Sequence, residues 1–249
     1  MEVVATYIDI NCDVGEGMGN EAQLFPFISS CNIACGGHAG DMESMRSIAR
    51  LAQKHGIRVG AHPSYPDTEN FGRVAMKISD KELKKALESQ LETFCKILSA
   101  EHIRLHHIKP HGALYNVIAK NSHQASLFLD VVERYRAEAV LFVPPGSKIA
   151  VEADRRGFRI KYEAFADRNY NEDLSLVPRK FSNAVISEPH KVAEHLLMMV
   201  KNGMVRTVNG KEVPIKADTF CIHGDTPAAF EILAYLSKEL PRQHVHLKK

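Results

Sequence analysis

What most constrains this chain is an alternation. Short apolar runs, each ending in a polar turn marked by glycine or proline, are followed by segments whose apolar residues recur at helical spacing. The runs lie at Val3 to Ile10, Ile28 to Cys35, Ile57 to Ala61, Ile103 to Lys109, Ala139 to Val143, Phe158 to about Glu163, and Thr219 to His223. Runs this short and apolar suit parallel strands lying beneath a layer of helices. Seven strand-to-helix units joined by right-handed crossovers favour an α/β fold, a seven-stranded TIM-like (β/α) barrel, closed or incomplete, over an open sheet. Helix signals agree: Met42, Met45, Ile48, Ala49 and Ala52 repeat until Gly56, and Ser79 to Glu82 forms a capping box before the stripe Leu83, Leu87, Leu91, Phe94 and Leu98. Further helices are expected from Ser122 to Arg136, up to Arg156, from Pro189 to Gly203 and after Pro227. Asn209-Gly210 predicts a hairpin near 205–215, read as a surface decoration.

No linker-like or low-complexity stretch divides the chain, so residues 1–249 read as one domain. A net charge of +2 without a basic stripe argues against nucleic acid, and the basic C-terminal residues read as a frayed, solvated end. No apolar run approaches the roughly 20 residues that span a membrane, and no secretory leader is evident, which predicts a cytoplasmic protein. Five cysteines, an odd number, fit reduced thiols, with Cys12, Cys35 and Cys221 acting as small apolar residues.

The polar residues are distributed unevenly. Asp9, Asn11 and Asp13 follow the first run, with Glu16 close behind; Asn32 and His38 follow the second, His62 the third, and Lys109 and His111 the fourth. Glu163, Asp167 and Arg168 follow the sixth, and His223 and Asp225 the seventh. Each has an ordinary reading, such as a helix cap, a core histidine or a Lys109–Glu163 pair. In a barrel, however, the loops after the strands gather on one face, and six of them carrying ionisable groups point to an enzyme site there.

The motifs DINCDVGEG (from Asp9), NIACGGHAGD, GAHPSYPD, FGR, KPHGALYN, EAFADRNY, LVPR and HGDTP together resemble the LamB/YcsF family, that of the A subunit of 5-oxoprolinase. They span the chain from Asp9 to Pro227; Cys12 and Gly37 depart from the usual pattern, which bears on packing around the polar groups. The resemblance implies a barrel related to the glycoside hydrolase and deacetylase barrels, and a role with two other subunits, B and C, in opening 5-oxo-L-proline to L-glutamate at the expense of ATP. The chain has no G-x-x-x-x-G-K-[ST] loop, so ATP is expected to be bound with or by the partner subunits; homo-oligomerisation and a divalent metal, such as Mg²⁺ with ATP, stay open.

A lactam is a poor electrophile with a poor leaving nitrogen, so opening it calls for carbonyl activation, a base for water and an acid for nitrogen. Candidate roles are Asp13 or His62 as base, His223 with Asp225 as proton donor, Lys109 and His111 as stabilisers of developing negative charge, and Arg168 as clamp for the substrate carboxylate. Asp9, Asn11, Asn32, His38 and Glu163 are assigned to substrate binding, and Asp13 is expected to serve chemistry and not folding. The main alternative is a metal-dependent deacetylase acting on carbohydrate or amide substrates, with Asp13, His38 and His62 around a divalent ion. A Schiff-base lyase through Lys109 and a non-catalytic regulatory or sugar-binding subunit are weaker readings.

Overall fold

The computed structural model describes residues 5–249. In chain order its elements are β1 (Thr6–Ile8), β2 (Ile10–Val14), α1 (Glu21–Leu24), β3 (Ser30–Ala34), α2 (Met42–Lys54), β4 (Arg58–His62), α3 (Asp80–Ala100), β5 (His107–Ile108), α4 (Gly112–Lys120), α5 (Ser122–Val132), β6 (Val140–Val143), α6 (Lys148–Arg155), β7 (Ile160–Phe165), α7 (Pro189–Asn202), β8 (Met204–Arg206), β9 (Glu212–Pro214), β10 (Thr219–Cys221), α8 (Ala229–Arg242) and β11 (Val245–Leu247). Seven strands close a parallel barrel in the order β10-β2-β3-β4-β5-β6-β7, the TIM-like architecture expected from the alternation. Among the described residues no helix is long and apolar enough to cross a membrane.

The strands are buried on both sides, but their two faces differ in chemistry. Ile10, Cys12, Val14, Cys31, Ile33 and Val59 join the apolar cluster built with the buried faces of the helices. The alternate residues Asn11, Asp13, Ser30 and Asn32 face the lumen, where Asn32 bonds both Asn11 and Asp13 and Ser30 bonds Asp9. The register aligns Asp13 with Asn32, Asn32 with Gly60, and Gly60 with His107 across four neighbouring strands. Gly60 has a packing reason: a Cβ there would stand 2.1 Å from His107 Nε2, so only glycine lets that ring lie across the barrel. The ring stacks on Phe142 at 4.0 Å between centroids.

Local signals fix the helix starts. Asp41 and Ser44 form a capping box on α2, as Ser79 and Glu82 do on α3, and Gly203 ends α7 at φ 62°.

Several boundaries differ from the sequence reading. The first run divides: β2 is the barrel strand, and β1 pairs in parallel with β11 outside the barrel. Val3 and Val4 lie outside the described residues. The chain end is therefore not frayed, because Val245 buries its side chain and the β1–β11 ladder runs from Thr6–Val245 to Ile8–Leu247. The fourth run gives only the two residues of β5, and Gly112 to Lys120, ahead of the helix expected from Ser122, is helix α4, separated from α5 by Asn121, whose side chain caps α5. β7 starts later and reaches Phe165, so Glu163 lies within a strand and not after it. The β8–β9 hairpin forms as expected, but it also braces the loop after β7: Val208 N–H donates to Tyr170 O at 2.9 Å.

Candidate active site

The lumen is a stack of polar layers, and the first belongs to the floor. Asp9 accepts from Ser30 Oγ and Thr219 Oγ1, each at 2.8 Å, and pairs with Arg58 at 2.8 Å. These partners lie at the amino-terminal ends of their strands, at the opposite end from the loops expected to carry the site. The expectation that Asp9 binds substrate is thus corrected: an arginine at the start of β4 neutralises it, and Asp9 fastens the barrel floor. One layer up, Asn11 accepts from Asn32 Nδ2 at 2.8 Å and donates to Thr219 Oγ1, while Asn32 Oδ1 faces His107 Nε2 at 2.6 Å. Both asparagines are completely buried and spend their groups inside the barrel, which corrects their assignment to substrate contact as well.

Above them Lys109 Nζ stands 2.8 Å from Asp13 Oδ1 and 2.9 Å from Glu163 Oε1. Burial works against the ammonium charge, but the Asp13 and Glu163 carboxylates outweigh it and hold Lys109 well above its ordinary pKa. Burial likewise opposes the Asp13 carboxylate, yet His62 and Lys109 keep it well below the usual range. Asn32 Nδ2 also donates to Asp13 at 2.7 Å. Asp13 therefore holds up the lumen as well as facing the cavity, which corrects the expectation that folding does not need it.

Next come three imidazoles around Glu16. Glu16 Oε1 lies 2.9 Å from His38 Nε2, 3.2 Å from His111 Nδ1 and 3.9 Å from His62 Nε2. Despite burial, the close contacts with the His111 and His38 rings hold Glu16 far below the ordinary carboxylate range. Burial pushes His38 down to about 4, and pushes His111 down too, against the pull of Glu16. Of the outer nitrogens, His62 Nδ1 faces Lys109 O at 2.7 Å and His111 Nε2 faces Phe71 O at 2.9 Å. Sequence reasoning gives Glu16 no role of its own; the signal for one is its position three residues past Asp13, beyond a glycine turn. Gly37, noted as a departure, has no room for a side chain, since a Cβ would lie 2.4 Å from Ser64 Oγ and 2.5 Å from Gln90 Oε1.

The fourth group sits at the rim. His223 Nδ1 is 3.0 Å from Asp167 Oδ1, and Asp167 Oδ2 accepts from the His223 backbone N–H and from Thr226 Oγ1 at 2.6 Å. These contacts overcome burial and bring Asp167 down to about 2. The partner of His223 is thus Asp167 and not Asp225, which instead pairs with Arg73 and, at 3.5 Å, with Arg179. Arg168 is buried and donates from Nε to Ala184 O at 3.0 Å and from Nη2 to Val177 O at 2.6 Å. Its role as carboxylate clamp is revised accordingly: two of its donors already pin the loop after β7. Arg73 and Arg179, from the FGR and LVPR motifs, are the guanidiniums that pair with Asp225.

A cavity of about 720 Å³ opens over these groups, lined by Asp13, Glu16, His62, Lys109, His111 and His223 on its polar side and by Arg73, Arg168 and Arg179 at its edge. A second chamber of about 390 Å³ adjoins it, sharing Tyr115 and Phe165 with its lining and bordered by Glu163. His38 and Asp225 are not part of the first cavity's lining. Among the described residues, two sets of groups converge closely enough to hold a metal: Glu16, His38, His62 and His111, and Asp13, Cys221 and His223. In the second, Lys109 Nζ, 2.8 Å from Asp13 and 3.2 Å from Cys221 Sγ, already supplies the positive charge, and burial keeps Cys221 a thiol by raising its pKa.

A model of the LamB/YcsF family matches residues 8–249. A protein of Pyrococcus horikoshii named as the A subunit of 5-oxoprolinase is 39% identical over 96% of this chain and 96% of its own. One of the same name from Acinetobacter baumannii is 39% identical over 97% of each. Among solved structures, a lactam utilization protein from Thermus thermophilus superposes with a TM-score of 0.90 at 35% identity, covering 98% of this chain and 99% of that one. A T48 deacetylase shares the fold alone, with a TM-score of 0.52 at 10% identity over 98% of this chain and 88% of that one.

Proposed function

Because this chain belongs to the LamB/YcsF family, we propose that it serves as the A subunit of an ATP-dependent 5-oxoprolinase, working with two companion subunits, B and C, to open the lactam of 5-oxo-L-proline to L-glutamate. The observation that carries the reading is the near-full-length match to relatives bearing that name. The chemistry of the cavity agrees with it. ATP transfers a phosphoryl group to the lactam oxygen, and water adds to the activated carbon. The C–N bond then breaks with its electron pair going to nitrogen, which takes a proton, and a second water releases phosphate from the acyl phosphate.

In this scheme the Lys109 ammonium, fixed between Asp13 and Glu163, faces the oxygen where negative charge develops. His223, oriented by Asp167, exchanges protons with water and with the leaving nitrogen. Arg73 and Arg179 hold the substrate carboxylate, with Asp225 fixing their positions. A cavity of about 720 Å³ exceeds what a five-membered lactam fills, which leaves room for a phosphoryl donor or for a loop of a companion subunit. The deacetylase alternative has only the shared fold behind it.

The test is reconstitution. The chain mixed with both companions should release glutamate from 5-oxo-L-proline and ATP, and the chain alone should release none. Efficient release by the isolated chain would overturn the division of labour. No release by the complete mixture, with every component folded, would overturn the substrate.

A further inference from the structure

We propose that Glu16, His62 and His111 form a binding site for one divalent transition-metal ion of the zinc, cobalt or manganese class, opening onto the main cavity. The argument begins with where the ring protons must be. A backbone carbonyl can only accept, so His62 Nδ1, 2.7 Å from Lys109 O, and His111 Nε2, 2.9 Å from Phe71 O, both carry hydrogen. In the neutral rings this leaves lone pairs on His62 Nε2 and His111 Nδ1, yet those two atoms face each other at 3.0 Å. Glu16 Oε1, a third acceptor, lies 3.2 Å from the second of them. Three lone-pair donors within 3.9 Å of one another need a positive centre between them.

The surroundings fit a cation. Asp13, Glu16 and Glu163 are all buried here, and Lys109 is the buried ammonium set among them. Donor atoms bound at about 2.1 Å around a tetrahedral ion stand about 3.4 Å apart, and the separations here are 3.0, 3.2 and 3.9 Å. Outer nitrogens tied to backbone carbonyls are what fix the tautomer and direction of metal-binding imidazoles. Phe71 accepts an unfavourable backbone, φ 55°, in the turn that offers its carbonyl to His111, and strain of that kind on a bulky residue gathers at functional sites. His38 is a supporter and not a fourth ligand. Its ring lies parallel to His111 at 3.6 Å with a 2° tilt, so one ion cannot occupy both ring planes; its Nε2 instead steadies Glu16 at 2.9 Å. Two imidazoles and one carboxylate favour transition metals over Mg²⁺ or Ca²⁺, and the three ligands all line the cavity, so the remaining coordination positions face it. This replaces the Asp13, His38 and His62 set expected from sequence for the deacetylase alternative, and it holds or fails independently of the lactam substrate.

The experiment uses the full, untagged chain, stripped with chelator and titrated with Co²⁺ while its visible d–d bands, calorimetric stoichiometry and melting temperature are recorded. Expected are one Co²⁺ per chain, a coloured complex displaced by Zn²⁺ but not by millimolar Mg²⁺, and a melting temperature raised by roughly 5–10 °C at about 100 times Kd. Glu16→Gln and His111→Gln should each weaken binding at least about 100-fold, and His38→Gln about 10-fold at unchanged stoichiometry. His246→Gln, on the opposite end of the barrel beside Tyr7, should change nothing. No saturable Co²⁺ binding by the wild-type chain, binding that survives both ligand substitutions, or equal competition by Mg²⁺ would overturn the proposal. In the first two cases a shared proton joins His62 to His111.

Discussion

Replacing Lys109 with methionine keeps most of the side-chain volume and removes only the charge, so it isolates the electrostatics of the lumen. Lys109 Nζ sits 2.8 Å from Asp13 and 2.9 Å from Glu163 with almost no exposure. At an effective dielectric of about 20, Coulomb's law gives roughly 6 kcal/mol for each such contact, and the cost of desolvating the ammonium offsets much of the sum. What the substitution exposes is the other side of that balance, two buried carboxylates without their cation, a loss of about 3–5 kcal/mol. For a chain of this length that corresponds to a fall of roughly 6–20 °C in melting temperature. The sign of the pH dependence follows: the leftover negative charge is relieved by taking up a proton, so Lys109→Met should lose most stability near pH 8 and recover at least half of it near pH 5. Adding Glu163→Gln restores the net charge of the cluster and should rescue a similar share. Urea unfolding and melting at both pH values measure this. A loss below about 1 kcal/mol, the same loss at pH 5 and pH 8, or no rescue by Glu163→Gln would refute the reasoning.

Asp167→Asn should lower kcat of the reconstituted complex by about 10²- to 10⁴-fold, because an amide does not hold the imidazole as the carboxylate does; an unchanged kcat would remove the pair from the mechanism. Arg168→Lys should cost about 1–3 kcal/mol and speed proteolysis within residues 169–186, since an ammonium cannot reach the carbonyls of Val177 and Ala184 together; wild-type resistance to protease would rule this out. Burial lowers His195 from 6.5 to about 4, so the native chain binds fewer protons than the unfolded one, and stability present above pH 6.5 should drain away by up to about 3 kcal/mol as pH falls to 4. In His195→Leu the slope of unfolding free energy against pH should lose about one proton over that window. Gly60→Ala, whose new Cβ would meet His107 at 2.1 Å, should destabilise by more than the usual 1–3 kcal/mol of overpacking and fail to accumulate as soluble protein; normal melting would mean the lumen can yield.

The sequence by itself determined the architecture and the end of the barrel where ionisable side chains gather. Apolar runs of strand length, helix stripes such as Leu83 to Leu98, and caps at Asp41, Ser79 and Gly203 are local properties, readable because the backbone preferences they express span only a few residues. Only the tertiary structure decided which polar residue meets which. Asp167 and His223 are 56 residues apart, and it is the pairing of β7 with β10 that brings them within 3.0 Å. Asp9 and Asp13 look equivalent in the sequence, but Asp9, just before β2, sits on the floor beside Arg58, and Asp13, within β2, sits toward the mouth beside Lys109. The end of the chain looked solvated because its partner, β1, lies at the other end of the sequence. Strand register fixes such pairings, and register depends on how the whole barrel closes, which no short stretch of this chain encodes alone.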